Sequence, residues 1–149
     1  TVGDIADISR IFANTNAAAA AGAIAALLLT QLIYNKPDLT MILNGALAGL
    51  VAITAEPLTP TLGSATLIGG IGGLIVVFGV PLLDRLKIDD VVGAIPVHLF
   101  AGIWGTIAVI ALLVFLSLRN HALKFNHQQL IVSLSITSPT SLITPPVSH

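Results

Sequence analysis

The run DDVVGAIPVHLFAGIWGT (residues 89–106) places one imidazole, His98, in an uncharged stretch that extends from Val91 to Leu118. Three kinds of chemistry suit such a ring. As a metal or haem ligand it wants a second ligand one helical turn away, and none stands at i±3 or i±4. As a structural residue it would be neutral and hydrogen-bonded to a neighbouring helix. As a pathway residue it would line a narrow lumen and pass a polar solute or a proton, since ionisable side chains inside a membrane usually face a bundle interior or cavity. The residue chemistry leaves the structural and pathway readings level and puts the ligand reading well behind them. A neutral ring offers one donor and one acceptor, which suits a small solute that does both. A permanently hydrated alkali ion wants a ring of oxygens instead.

The rest of the chain offers little other chemistry. It has no cysteine, so disulfides, thiolate nucleophiles and Cys-based zinc sites are excluded. His121, His127 and His149 have no Cys or carboxylate nearby, and no metal site or cofactor is expected. A membrane enzyme using His98 as a base would lack a nucleophile or carboxylate partner in the apolar runs. Nucleic acid is not an expected partner.

The elements that must position His98 can be read from the charges. Apolar residues make up 55% of the 149 and charged residues 9%, far below the roughly 25% of soluble domains. Uncharged runs of 25, 17, 27 and 28 residues lie between Arg10 and Lys36, Asp38 and Glu56, Glu56 and Asp84, and Asp90 and Arg119. A hydrocarbon span needs about 20 residues, with a range of about 17–25. A soluble helical core would need a charged outer face, and these runs have none. The expected fold is therefore all-α, a polytopic membrane protein with four transmembrane helices at about 12–34, 39–55, 62–83 and 92–116. Residues 117–149, rich in Ser, Thr and Pro, read as a separate polar, disordered tail. Short loops with excess Lys and Arg face the cytoplasm. Lys36, Arg85 and Lys87 put the first and third loops inside, and the Glu56 loop outside.

Small residues mark where these helices meet. Gly45 and Gly49 form GxxxG, Gly69 and Gly73 repeat the spacing, and Gly102 adds a fifth small position; all five read as helix-packing sites. The glycines around 69–73 have helical surroundings and no basic residue, so they do not read as a phosphate cradle. Asn14 and Asn16 read as an N-cap and interfacial polar pair, or as helix-to-helix hydrogen bonds. Asn44 must find a partner in the bundle. Asp89 and Asp90 belong at a helix start, where acids favour the positive dipole end. Pro81 marks the end of the third span, and Pro96 bends the fourth.

NTNAAAAAG (14–22), NGALAGLVAIT (44–54) and DDVVGAIPVHLFAGIWGT (89–106) resemble, in order and separation, the ammonium transporter family (Amt/MEP/Rh), on its Amt side. The resemblance covers about residues 5–116. It implies eleven transmembrane helices in two halves of opposite topology, a homotrimer, and one hydrophobic pore per monomer. The four spans match helices seven to ten, and His98 matches the second of two mid-membrane pore histidines. The implied activity is passage of ammonium or ammonia across the cell membrane, with no enzymatic step. The implied partners are the lipid bilayer and, for the complete transporter, a cytoplasmic regulatory protein. The partner histidine and the outer cation-recognition site belong to parts of the family pattern outside these residues. Residues 117–149 do not resemble helix eleven, so the tail is expected to be disordered or non-family sequence. The chain also lacks an initiator Met and is expected to be a fragment. The alternative function is that of a non-conducting structural or regulatory membrane subunit.

Overall fold

The computed structural model describes residues 1–137. Four α-helices and one wide turn follow in order: α1 (Val2–Tyr34), α2 (Leu39–Ile53), α3 (Leu62–Arg85), a π-type turn (Ile95–Phe100) and α4 (Ala101–Thr137). No strand occurs among the described residues. The chain divides into two units, Thr1–Leu112 and Leu113–His149.

The helix starts follow local capping chemistry. Thr1 and Asp4 form a capping box on α1. The Asp4 N–H donates to the Thr1 hydroxyl, and the Asp4 carboxyl accepts from the Thr1 backbone nitrogen. Asp38 accepts from Met41 N at 3.0 Å to open α2, and Thr61 accepts from Ser64 N to open α3. Asn35 closes α1 with φ of 55°, in the left-handed region that asparagine tolerates.

The boundaries differ from the charge reading in four places, each with a physical reason. First, α1 begins ten residues before Phe12, because the capping box starts it and the charges of Asp4, Asp7 and Arg10 stay exposed. Charge ends the apolar run there; it does not end the helix. Second, α2 has 15 residues, about 22 Å at 1.5 Å per residue, against a hydrocarbon core of about 30 Å. Three helical stretches are long and apolar enough to cross a membrane: Val2–Tyr34, Leu62–Arg85 and Ile95–Ile131. The second helix is apolar but shorter. Third, Pro81 lies inside α3, which runs on to Arg85. Fourth, residues 117–137, expected to be part of a disordered tail, are helical. Ala, Leu, Lys and Gln in this stretch are good helix formers, and Pro, the strongest breaker, is absent up to Ser138. The remainder of the expected tail, 138–149 with His149, lies outside the described residues.

Within Thr1–Leu112 the core is built from small side chains. Ala18, Ala52, Ile53, Ala65, Ile68 and Ala108 form one buried cluster with Trp104 against it. Ala48, Val76, Val97 and Ala101 form a second. Large apolar side chains such as Phe12, Leu32, Leu67 and Phe78 face outward. That inside-out distribution suits lipid as solvent, where packing of small residues replaces the hydrophobic effect as the force between helices.

Candidate functional site

The site is assembled from α2, the segment 90–94 and the π-type turn. The Asp90 carboxylate accepts from the N–H groups of Ala94 and Ile95, each at 2.9 Å. Gly93 takes φ of +75°, a conformation that side-chain-bearing residues rarely adopt. Asn44, buried on α2, donates its Nδ2 to the Val92 carbonyl at 2.9 Å. At the other end of the turn the Ala101 N–H reaches the carbonyls of Pro96 and His98. The Pro96 bond skips five residues and gives the turn its π width. Proline favours this locally, because it removes one backbone donor and disfavours the α conformation in the residue before it.

Pro96 and Val97 are buried and anchor the turn. Val97 packs with Ala48 and Val76, and Pro96 lies over Gly79, where a Cβ would sit 2.9 Å from the proline ring. His98 and Leu99, next in line, are exposed. The His98 side chain makes no hydrogen bond among the described residues. The imidazole is therefore displayed on the outside of this helical unit by two buried neighbours. The structural reading calls for a bond to a neighbouring helix, and none is made among the described residues.

Asp90 stands at the start of the turn as an acceptor, whereas Asp89 is exposed and makes no side-chain bond among the described residues. Both border a recess of about 260 Å³ that also includes Thr40, Asn44 and Asp84. Among the described residues no three His, Cys, Asp or Glu side chains come together as a metal site.

The two asparagines of α1 part company. Neither is an N-cap, since α1 begins at Val2. Asn14 is buried and donates to the carbonyls of Pro57 (2.9 Å) and Pro60 (2.8 Å), tying α1 to the loop between α2 and α3. Asn16 is exposed and bonds back to the Phe12 carbonyl of its own helix at 2.8 Å.

Gly45, Gly49, Gly69 and Gly73 are buried where backbones meet. A Cβ at Gly49 or Gly69 would overlap the Ala18 carbonyl, and one at Gly73 the Gly22 carbonyl. One at Gly45 would lie 2.7 Å from the Gly22 carbonyl oxygen. Gly102 differs, since a Cβ there would meet only Val51 at an ordinary 3.8 Å. The tight position on α4 is Gly105, against the Ala52 carbonyl, one turn further along. Sequence reasoning reads the small residues 17–22 as a surface for close helix approach but does not single out Gly22, on which both α2 and α3 converge; it missed the Trp104 indole N–H, which donates to the Ile68 carbonyl at 3.0 Å. The one glycine that interrupts the alanine run of 17–23 was the available signal for Gly22.

A sequence profile of the Ammonium Transporter Family matches residues 1–146. The chain belongs to the ammonium transporter family. The match passes residue 116, where the motif resemblance stops. This family member is similar to the ammonium transporter Amt2 of Archaeoglobus fulgidus, at 52% identity over 102 residues, which cover 68% of this chain and 22% of that protein. It is also 52% identical over 101 residues to the putative ammonium transporter sll1017 of Synechocystis, covering 66% and 23% respectively. Among solved structures, one titled Sensor Amt Protein matches with a TM-score of 0.68 at 38% identity, over 69% of this chain and 26% of that one. The chain thus spans about a quarter of the length of the relatives it matches. Family and apolar helices together make it a multi-pass membrane protein.

Proposed function

We propose that this chain supplies the His98 wall of an ammonia-conducting pore in a complete ammonium transporter. The observation that carries the reading is the display of His98: buried Pro96 and Val97 fix the turn, and the imidazole faces outward with no partner in its own unit. An ionisable side chain on an otherwise apolar membrane face is costly unless it meets a cavity or another polar group. In a complete pore that group would be the solute and the second family histidine.

The chemistry follows from the ring. Carrying a full positive charge through apolar surroundings is prohibitively costly. Ammonium therefore gives up its proton to a base at the pore entrance and continues as ammonia. Neutral ammonia both donates and accepts hydrogen bonds. A neutral imidazole matches it with one N–H and one lone pair. The released proton travels separately: the ring lone pair of His98 accepts it, and the opposite ring nitrogen releases its own proton onward. No covalent bond to the solute forms, and the residue is a relay.

The assembly in this reading is a homotrimer in the cell membrane, with Gly45, Gly49, Gly69 and Gly73 as packing positions and a cytoplasmic protein as regulator. Uptake of labelled methylammonium by transporter-deficient cells expressing the full-length gene product tests the reading. Uptake that is lost in His98→Ala, at equal membrane abundance, supports it. No uptake by the wild-type product would make the chain a non-conducting subunit.

A further inference from the structure

The outward display of His98 depends on groups that do not touch it. We infer that Asn44 is a positioning residue for His98 and acts with Asp90 as a two-point latch on the π-type turn. The inference rests on the reading of His98 as a pore residue.

The backbone donors entering the turn can be followed one by one. The N–H groups of Ala94 and Ile95 go to the Asp90 carboxylate. Pro96 has none. The Val97 N–H goes to the Gly93 carbonyl at 3.2 Å. These bonds are local and fix the shape of the turn. They do not fix where the turn sits on the bundle.

Asn44 does that. Its bond to the Val92 carbonyl spans 48 residues of sequence and ties α2 to the segment just before the turn. The fit is tight. A Cβ on Gly93 would lie 2.7 Å from Asn44 Nδ2, so the carboxamide occupies the space that glycine leaves open. Positive φ at Gly93 and the side chain of Asn44 therefore specify each other. On the far side, Pro96 against Gly79 and Val97 against Val76 complete the seat.

Relaxation of the π turn to α geometry would remove one residue of slack. Residues on one side would then rotate against the other by about 100°. His98 would leave its face while the helix remained a helix. Asn44 and Asp90 hold the turn against that change. Functional side chains are held in productive geometry by packing and supporting hydrogen bonds of this kind.

The test uses the full-length gene product, reconstituted in proteoliposomes, with two readouts on each variant. One is ammonium-evoked current and its selectivity over potassium. The other is hydrogen exchange at the amides of residues 92–98, compared with those of α1 and α3. Asn44→Ala is expected to raise exchange at 92–98 and leave α1 and α3 unchanged. Current should fall by about tenfold to a hundredfold, the penalty of an ångström-scale misplacement. Asn44→Ser keeps a donor and should recover part of the current. Asp90→Asn keeps one acceptor of two and should fall between. If Asn44→Ala does not assemble, Asn44→Ser and Asp90→Asn carry the comparison on the same readouts. Wild-type current and selectivity in these variants, with His98→Ala inactive, would overturn the latch and leave the His98 reading standing. Wild-type current in His98→Ala would overturn the pore reading and the latch with it.

Discussion

Two parts of the Thr1–Leu112 unit use polar groups and small residues in opposite ways. At the seam of α1, α2 and α3, polar groups turn inward and are satisfied within the chain: Asn14 on two loop carbonyls, Thr30 on the Ala26 and Leu27 carbonyls. Glycines there exist so that backbones can touch. At the π-type turn the polar bonds lie behind the surface, on Asn44 and Asp90, while the imidazole they support faces out. The seam's chemistry is finished inside the unit, and the turn's is left open. A side chain held from behind and unpaired in front is the mark of a site, and a side chain paired on every side is the mark of a joint.

This contrast ranks the expected damage. Gly22 is among the most sensitive seam positions, because a Cβ there would overlap the Gly45 carbonyl and crowd that of Gly69. Gly22→Leu should cost about 3 kcal/mol or more, at the upper end of overpacking penalties. Thermal unfolding in detergent, followed by size-exclusion chromatography, checks this. Gly49→Leu should be nearly as severe, and Leu112→Ala much milder. Equal melting of the glycine and leucine variants would mean that the seam is not tight.

Asn14→Ala comes next. It leaves the Pro57 and Pro60 carbonyls without their donor, a loss of about 1–2 kcal/mol on the scale of buried hydrogen bonds. Asn16→Ala removes an exposed bond to its own helix and should fall within about 0.5 kcal/mol of wild type. Denaturant titration of both variants sharpens the comparison. Similar losses would show that the loop tie carries no weight.

The smallest effects belong to glycines with room. Gly70→Ala would meet only Ala21 Cβ at 3.9 Å, and Gly102→Ala only Val51. Each should be within about 0.5 kcal/mol of wild type or slightly stabilising, since alanine is the better helix former. Gly105→Ala, against the Ala52 carbonyl, should be clearly worse than Gly102→Ala in the same melting assay. The reverse order would contradict the assigned face of α4.

Orientation is a separate expectation. Lys36 and Lys87 lie in loops, and Arg85 in the last turn of α3, on the proposed cytoplasmic side. A cysteine at position 36 should resist an impermeant maleimide applied from outside and label once the membrane is opened. Labelling from outside would reverse the topology.

Much of this architecture is legible in the sequence, for reasons that can be named. Lipid leaves a compositional imprint, so uncharged runs and glycine spacing point to apolar helices and to Gly45, Gly49, Gly69 and Gly73. Helix ends are less legible, because hydrogen bonding sets them and charge does not. Thr1 and Asp4 start α1 well before its apolar run, and α4 continues beyond Arg119 through residues with good helix propensity. The face of a glycine is not legible either. Gly102 and Gly105 look equivalent in GIWG, and only the register of α4 against Ala52 separates them. His98 stands out by type alone. Its supports Asn44 and Asp90 stand out as polar residues, but the partner of Asn44 does not, since Asn44 lies 48 residues from the carbonyl it holds. A bond across that distance leaves no local pattern.

The central claim is that His98 is a working residue of a conducting pathway. The most direct measurement is ammonium-evoked current on a solid-supported membrane carrying the purified full-length gene product. Wild-type protein should give a current with ammonium and none with potassium. His98→Ala should lose that current, or lose its selectivity, while its melting temperature stays within a few degrees of wild type. Unchanged current and unchanged selectivity in His98→Ala would contradict the claim.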